Sequence, residues 1–242
     1  MRMTGWTGRI GVAAVLAVLT CLPARAEEAA FDFVLKGITA GSLTWTGSGE
    51  PGGAYQVKGR LKTSGLAALL KRVRYDAAAS GSMTAKGTYV AARYSEDADT
   101  GKRQSQSAIT WTKGVPKVTE ASERAPKPWD IDPASQKGTV DPLTAMFATL
   151  REVEPGQECK VNVNMFDGRR ASKLLLGSPK TSEGKVICAG EYRRVAGFSP
   201  DDMAEKTRFP FSLTYEPAAN GKMRVVEVSM DTLYGKARLV RR

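Results

Sequence analysis

The sequence predicts an all-β protein: one antiparallel sheet curled into a half-barrel, β-spiral or barrel, with one inserted α-helix. Three observations carry this. Most of the chain beyond residue 30 alternates apolar and polar residues with period two, the mark of strands with one buried and one wet face. Turn signals recur between those runs, at 47–53, Gly81, 97–101 and Asn220-Gly221. Only two segments read as helix, too few to cover about a dozen strands, so the sheet must curl on itself to hide its apolar face and protect its edges.

The elements follow in chain order. Arg2 and Arg9 precede an apolar run from Ile10 to Leu22, which ends at Ala24-Arg25-Ala26. A basic start, an apolar stretch too short to span a bilayer and an A-x-A box together have the layout of a secretory signal peptide. Residues 1–26 are therefore expected to be cleaved, leaving 27–242 as a single β-rich domain in the periplasm. Reading Val18-Leu19-Thr20-Cys21 as a lipobox is less favoured, because Thr20 suits that position poorly and Ala24-Arg25-Ala26 offers a conventional cut.

Tyr55, Val57, Gly59 and Leu61 alternate with Gln56, Lys58, Arg60 and Lys62. The same pattern runs through 72–79, 208–215 and, with Val226, Val228 and Met230 inward, 226–231. About eleven to thirteen strands are expected. Residues 64–71 read as a short helix capped by Ser64. Residues 141–151 read as a stronger one, with Asp141 placed to accept first-turn amides and Pro142 suited to the first helical position. Leu143, Met146, Phe147 and Leu150 form an apolar stripe that suits a plug for a curved sheet. Residues 120–139, with Pro126, Pro128 and Pro133, read as a long surface loop. Trp129 within it is either a binding anchor or a side chain tucked onto the sheet.

The exported segment holds two cysteines, Cys159 and Cys188. An oxidising compartment favours a disulfide between them. Both lie in alternating segments, so both thiols are expected to face one interior from neighbouring strands.

The chain carries 36 Lys and Arg against 25 Asp and Glu, a net charge of +11, or +8 once Arg2, Arg9 and Arg25 leave with the signal. Outside the cytoplasm this favours anionic envelope components over nucleic acid, but the basic residues are spread along the chain, which favours a solvated surface between strands over either. There is no histidine. Ser-His-Asp and Cys-His mechanisms and His-containing zinc sites are thereby excluded. A Ser–Lys dyad or a carboxylate pair such as Asp201-Asp202 would still permit hydrolysis. No nucleophile elbow, phosphate loop or calcium-loop spacing accompanies these residues, and Asp130 and Asp132, considered with Asp141 for a cation, read as loop acids. No catalytic residue, metal or cofactor is assigned.

Asp167-Gly168-Arg169-Arg170 is the strongest local motif. It reads as a hairpin turn, with an anion contact by Arg169 and Arg170 as the functional alternative. Tyr192 joins them as a binding candidate. Gly197-Phe198-Ser199-Pro200 reads as a strand exit and turn. The aromatics, among them Phe31, Trp45, Tyr55, Trp111 and Tyr215, suit a filled core or a lipid cleft; parity alone does not separate the two.

Asp141-Pro142-Leu143, then Phe166-Asp167-Gly168-Arg169-Arg170, Glu191-Tyr192-Arg193-Arg194 and Gly197-Phe198, resemble an exported Gram-negative family catalogued as domain of unknown function 3108. The resemblance spans roughly 30–240 and is most specific over 141–198. It implies an envelope β-protein and assigns no reaction; Asp141, Pro142, Asp167, Gly168, Gly197 and Phe198 enter as motif scaffold. By fold-level analogy the chain is similar to periplasmic half-barrel proteins that carry lipoproteins or guard envelope integrity. The function expected is thus non-enzymatic: binding a lipid, a lipoprotein-like ligand or an envelope protein. A purely structural assembly partner, contacting through edge strands, is the alternative.

Overall fold

A computed structural model describes residues 26–65, 68, 72–232 and 235–242. Apart from Ala26, the expected signal peptide and Cys21 lie outside the described residues, as does most of the helix expected near 64–71. Of that helix Gly65 and Ala68 are described and helical, with the Ala68 amide donating to the Ser64 carbonyl (3.4 Å).

The strands are β1 (Glu27–Leu35), β2 (Ile38–Gly49), β3 (Ala54–Thr63), β4 (Arg74–Met83), β5 (Tyr89–Asp99), β6 (Gln104–Thr112) and β7 (Val115–Ala121), then β8 (Asn162–Phe166), β9 (Ala171–Ser182), β10 (Lys185–Ala196), β11 (Arg208–Pro217), β12 (Met223–Thr232) and β13 (Gly235–Arg241). Helix α1 spans Pro142–Leu150 and helix α2 Pro200–Glu205. All thirteen strands form one antiparallel sheet in the order β7-β6-β5-β4-β3-β2-β1-β13-β12-β11-β10-β9-β8. Two meanders, one from each half of the chain, thus meet where β1 pairs with β13. Tight hairpins set the register: Lys36-Gly37, Lys113-Gly114 and Glu183-Gly184 each place two residues at positive φ, the geometry whose twist matches the flanking strands.

The sheet curls around α1 and stays open between β7 and β8. Asp141 caps α1 as expected and Pro142 occupies its first turn. Of the apolar stripe Leu143, Phe147 and Leu150 are buried and Met146 half-buried, and Thr144, Ala145, Ala148 and Thr149 are buried as well. The helix is therefore enclosed nearly all round, packing on β3, β4, β5 and β8. Phe147 lies edge-on to Trp45 (5.4 Å between centroids) and stacks on Tyr55 (6.5 Å). Phe31, Trp45, Tyr55, Trp111 and Tyr215 are core residues, which resolves most of the aromatic set as filled interior.

Four local expectations are corrected. Glu120 and Ala121 belong to β7, and 122–140 is more than a surface loop: it bridges the open seam. The Gly138 amide donates to the Gly114 carbonyl (2.8 Å), and Val140 pairs with Met165 on the β8 edge. Pro133–Ser135 form a 3-10 turn capped by Asp132, and Ile131 packs on the core. Next, the inward set on β12 is Met223 and Val225 followed by Val228, because Val226 is skipped in the pairing with β11 and the bulge reverses parity. Third, Ser199 caps helix α2 where only a turn was expected.

Last, the disulfide forms (Cα–Cα 5.3 Å), but not from neighbouring strands. Cys159 sits in a turn at φ 61°, ahead of β8, and β9 separates β8 from β10. Cys188 lies at a bulge on β10, facing Ser178 and Pro179 where the β9 register shifts. Pro179 has no amide to give a ladder, which suits a bulge.

Candidate functional site

Helix α1 fills the middle of the curl and leaves a cleft of about 650 Å³ at the end where the helix stops. Its walls are the β2–β3 turn, the β4–β5 turn and residues 151–164, with Lys222 at the rim. Met83, Tyr89, Val153, Val161 and Val163 give it an apolar lining. The segment 152–161 is held across this end by spaced ties. The Glu152 amide donates to Glu27 Oε1 (2.9 Å), Val153 exchanges two backbone hydrogen bonds with Met223, Cys159 is bonded to Cys188, and the Val161 carbonyl accepts from Leu176 (2.8 Å).

Arg151, the residue after α1, turns its side chain into the protein beside this cleft. The side chain is 13% exposed. Its guanidinium carbon lies 5.4 Å from the centre of the Phe147 ring, within cation–π range. Nη1 makes two long contacts, to Met83 Sδ and Tyr89 Oη, each 3.5 Å. Nε has no hydrogen-bond partner among the described residues. Glu50 is 3.9 Å away, and its side chain is 60% exposed. Nearby, burial pushes the Glu27 carboxyl up to about 7, with the Glu152 amide pulling the other way.

The residues singled out by sequence gather elsewhere, at the corner where the β8–β9 turn meets the exit of β10. Asp167 Oδ1 accepts from the amides of Arg169 (2.9 Å) and Arg170 (2.7 Å), and Gly168 takes φ 93°. The motif is a hairpin turn, as expected. Gly197 (φ 82°) lies so close that a Cβ there would stand 2.8 Å from Arg170 Cα. Phe198 is buried with the guanidinium groups of Arg170 (5.2 Å) and Arg194 (5.3 Å) against its ring. Arg169 Nη2 donates to the Ser122 carbonyl (2.9 Å), tying the seam segment to this corner. Tyr192 packs against Phe209 (5.8 Å) and the core. Arg169, Arg170 and Tyr192 thus each make contacts within the protein at or near this corner.

Trp129 is half-buried, 5.9 Å beneath Lys127 Nζ, and is not at the cleft. Asp130 pairs with Arg124 and accepts from the Lys127 amide (2.8 Å). Asp202 binds its cap, Ser199 (2.7 Å), which holds its carboxyl below the usual range. Sequence reasoning missed Arg151. The available signal was a cation at the end of an apolar helix; its burial follows from the strands that surround that helix, which periodicity does not locate.

A second hollow, also about 650 Å³, lies on the solvent side of β2–β6. Two of its acids are paired: Arg60 and the neighbouring Arg74 both bind Asp76, and Arg74 also pairs with Asp97 (2.7 Å).

The chain belongs to the family described as protein of unknown function, DUF3108, whose model matches residues 30–240. Among solved structures it is similar to a beta-barrel-like protein of domain of unknown function DUF1849 from Brucella abortus. The two are 11% identical with a TM-score of 0.50, over 90% of this chain and 96% of that one, a likeness of fold. No curated protein matches.

Proposed function

We propose that this protein is a non-enzymatic component of the Gram-negative periplasm that binds an apolar or amphipathic envelope molecule in the cleft at the end of α1. The observation that carries the reading is the cleft itself. Its volume falls within the range of small-molecule sites, roughly 300–1,000 Å³, and its lining sets an apolar group, Met83, Tyr89, Val153, Val161 and Val163, among many polar and charged side chains. The signal-peptide pattern of residues 1–26 and the Cys159–Cys188 pair support the compartment. Native mass spectrometry of the mature protein, purified from its own periplasm, tests it. A bound mass that organic solvent releases as lipid is expected; bare protein in repeated preparations overturns the reading.

Assembly with a protein partner by strand addition is the second reading, and the open sheet favours it. β7 pairs with no strand on its outer side among the described residues, although the 133–135 turn packs against it. Crosslinking that traps one envelope protein through β7 would select this reading over lipid binding.

A further inference from the structure

We propose that the cleft takes a single-chain amphiphile with an anionic head, a carboxylate or a phosphate monoester, and that Arg151 is its head-group ligand. The proposal rests on the cleft reading above and specifies its occupant.

The argument is one of unmet charge. A guanidinium removed from water is costly unless its donors are paired, and an arginine has five. Arg151 has long contacts to a thioether and a phenol, and an unpartnered Nε. Glu50, at 3.9 Å and mostly exposed, offers the weak attraction of a surface pair. Phe147 holds the guanidinium in place by its ring face without consuming a donor. The result is a preorganised planar fork beside a hollow, suited to carboxylate or phosphate oxygens.

Among the described residues only Glu50 comes within ion-pair distance of Arg151. Glu152 accepts from Asn220 Nδ2 (2.7 Å), and Glu154 pairs with Lys222 (3.5 Å). Glu27 is turned to the Glu152 amide, and burial keeps much of it protonated near neutral pH. Lys86 and Lys160, which also line the cleft, add positive charge there. Beyond Arg151 the lining of Met83, Val153, Val161 and Val163 is a surface for hydrocarbon. An anionic head with one apolar chain matches both parts.

Calorimetry with a chain-matched series tests this: oleyl alcohol, oleate and oleyl phosphate below their aggregation concentrations, with inorganic phosphate alone as a fourth ligand. Wild type is expected to bind oleate or oleyl phosphate about tenfold or more tightly than oleyl alcohol. R151M should erase that preference while keeping oleyl alcohol binding, and R151K should retain part of it. Equal binding of all three chains by wild type overturns the head-group assignment and leaves the cleft reading standing. Binding of none overturns both. Inorganic phosphate binding as tightly as oleyl phosphate overturns the amphiphile in favour of a small-anion site. Should R151M fail to fold, the wild-type series still decides.

Discussion

Tyr55 Oη on β3 and Thr144 Oγ1 on helix α1 lie 2.9 Å apart inside the protein. Thr144 donates in turn to Asp141 Oδ2 (2.6 Å), while Asp141 Oδ1 accepts the Thr144 amide (2.7 Å). A phenol, a hydroxyl and a carboxylate therefore form one chain of bonds, with Asp141 and Thr144 fully buried. The helix cap is at once the bond that fixes the helix within the sheet. Its orientation decides where α1 ends, and so where Arg151 and the cleft lie.

Thr144→Val should cost more than Tyr55→Phe. The phenylalanine keeps the ring contacts with Tyr89 and Phe147 and loses one hydrogen bond, about 1 kcal/mol. The valine leaves both the Tyr55 hydroxyl and one Asp141 oxygen without a partner, about 2–4 kcal/mol. Because the valine already breaks the Tyr55 bond, the double variant should be little worse than T144V. Urea denaturation of the four proteins measures this; strictly additive losses would show that the two bonds are independent.

Burial raises Asp141 from 3.8 to about 6 and Glu27 from 4.5 to about 7. Both groups hold a proton more tightly folded than unfolded, so stability rises as pH falls through their folded values and is complete below their unfolded ones. For Asp141 the effect amounts to about 2–3 kcal/mol between pH 7 and pH 4. Asp76, Glu191 and Asp202 shift the other way, each lowered by its hydrogen-bonded partner, and their contribution is lost on acidification. Thermal melts should therefore peak near pH 5. Asn caps helices well and cannot ionise, so D141N should flatten the curve between pH 4 and 6. A wild-type slope in D141N would locate the titration elsewhere.

Much of the sheet and α1 was legible in the sequence because period two and the Asp141-Pro142 start are local. The misreadings arise where pairing across strands decides. Val226 belongs to the apolar alternation of its own segment, yet a bulge against β11 skips it. Cys159 continues the apparent parity of Val161 and Val163 but takes positive φ in a turn ahead of β8, with β9 lying between β8 and the strand of Cys188. The contact of Tyr55 with Thr144 joins residues 89 positions apart. Arg151 reads as an ordinary cation until the strands around α1 are in place.

Gly197 is the glycine at which a side chain should be tolerated least. It combines φ 82° with close approach to the Arg169–Arg170 backbone. Gly197→Ala should therefore cost about 2–4 kcal/mol, conformational strain and overpacking together. Gly168, at φ 93°, has no neighbour nearer than 3.4 Å to an added Cβ, so Gly168→Ala should cost only the conformational part, about 1–2 kcal/mol. Differential scanning calorimetry ranks the two. Equal losses would mean that the corner relaxes freely around Gly197.

The Cys159–Cys188 bond closes a loop of 29 residues, which in the chain-entropy model stabilises the fold by about 3–4 kcal/mol. Cys159→Ser and Cys188→Ser should each lose a similar amount, and the double variant little more, since each removes the same bond. The position of the bond adds a local consequence. Residues 152–161 wall the cleft and are tied to the sheet at Glu27, Met223, Cys188 and Leu176. Removing the third tie leaves the stretch between Val153 and Val161 without its covalent anchor. Amide hydrogen exchange in the double variant should therefore accelerate in 154–160 well before the global unfolding limit, while β3 and α1 keep wild-type protection relative to that limit. Uniform acceleration across the protein would show that the disulfide acts on the unfolded chain alone and has no hold on the cleft wall.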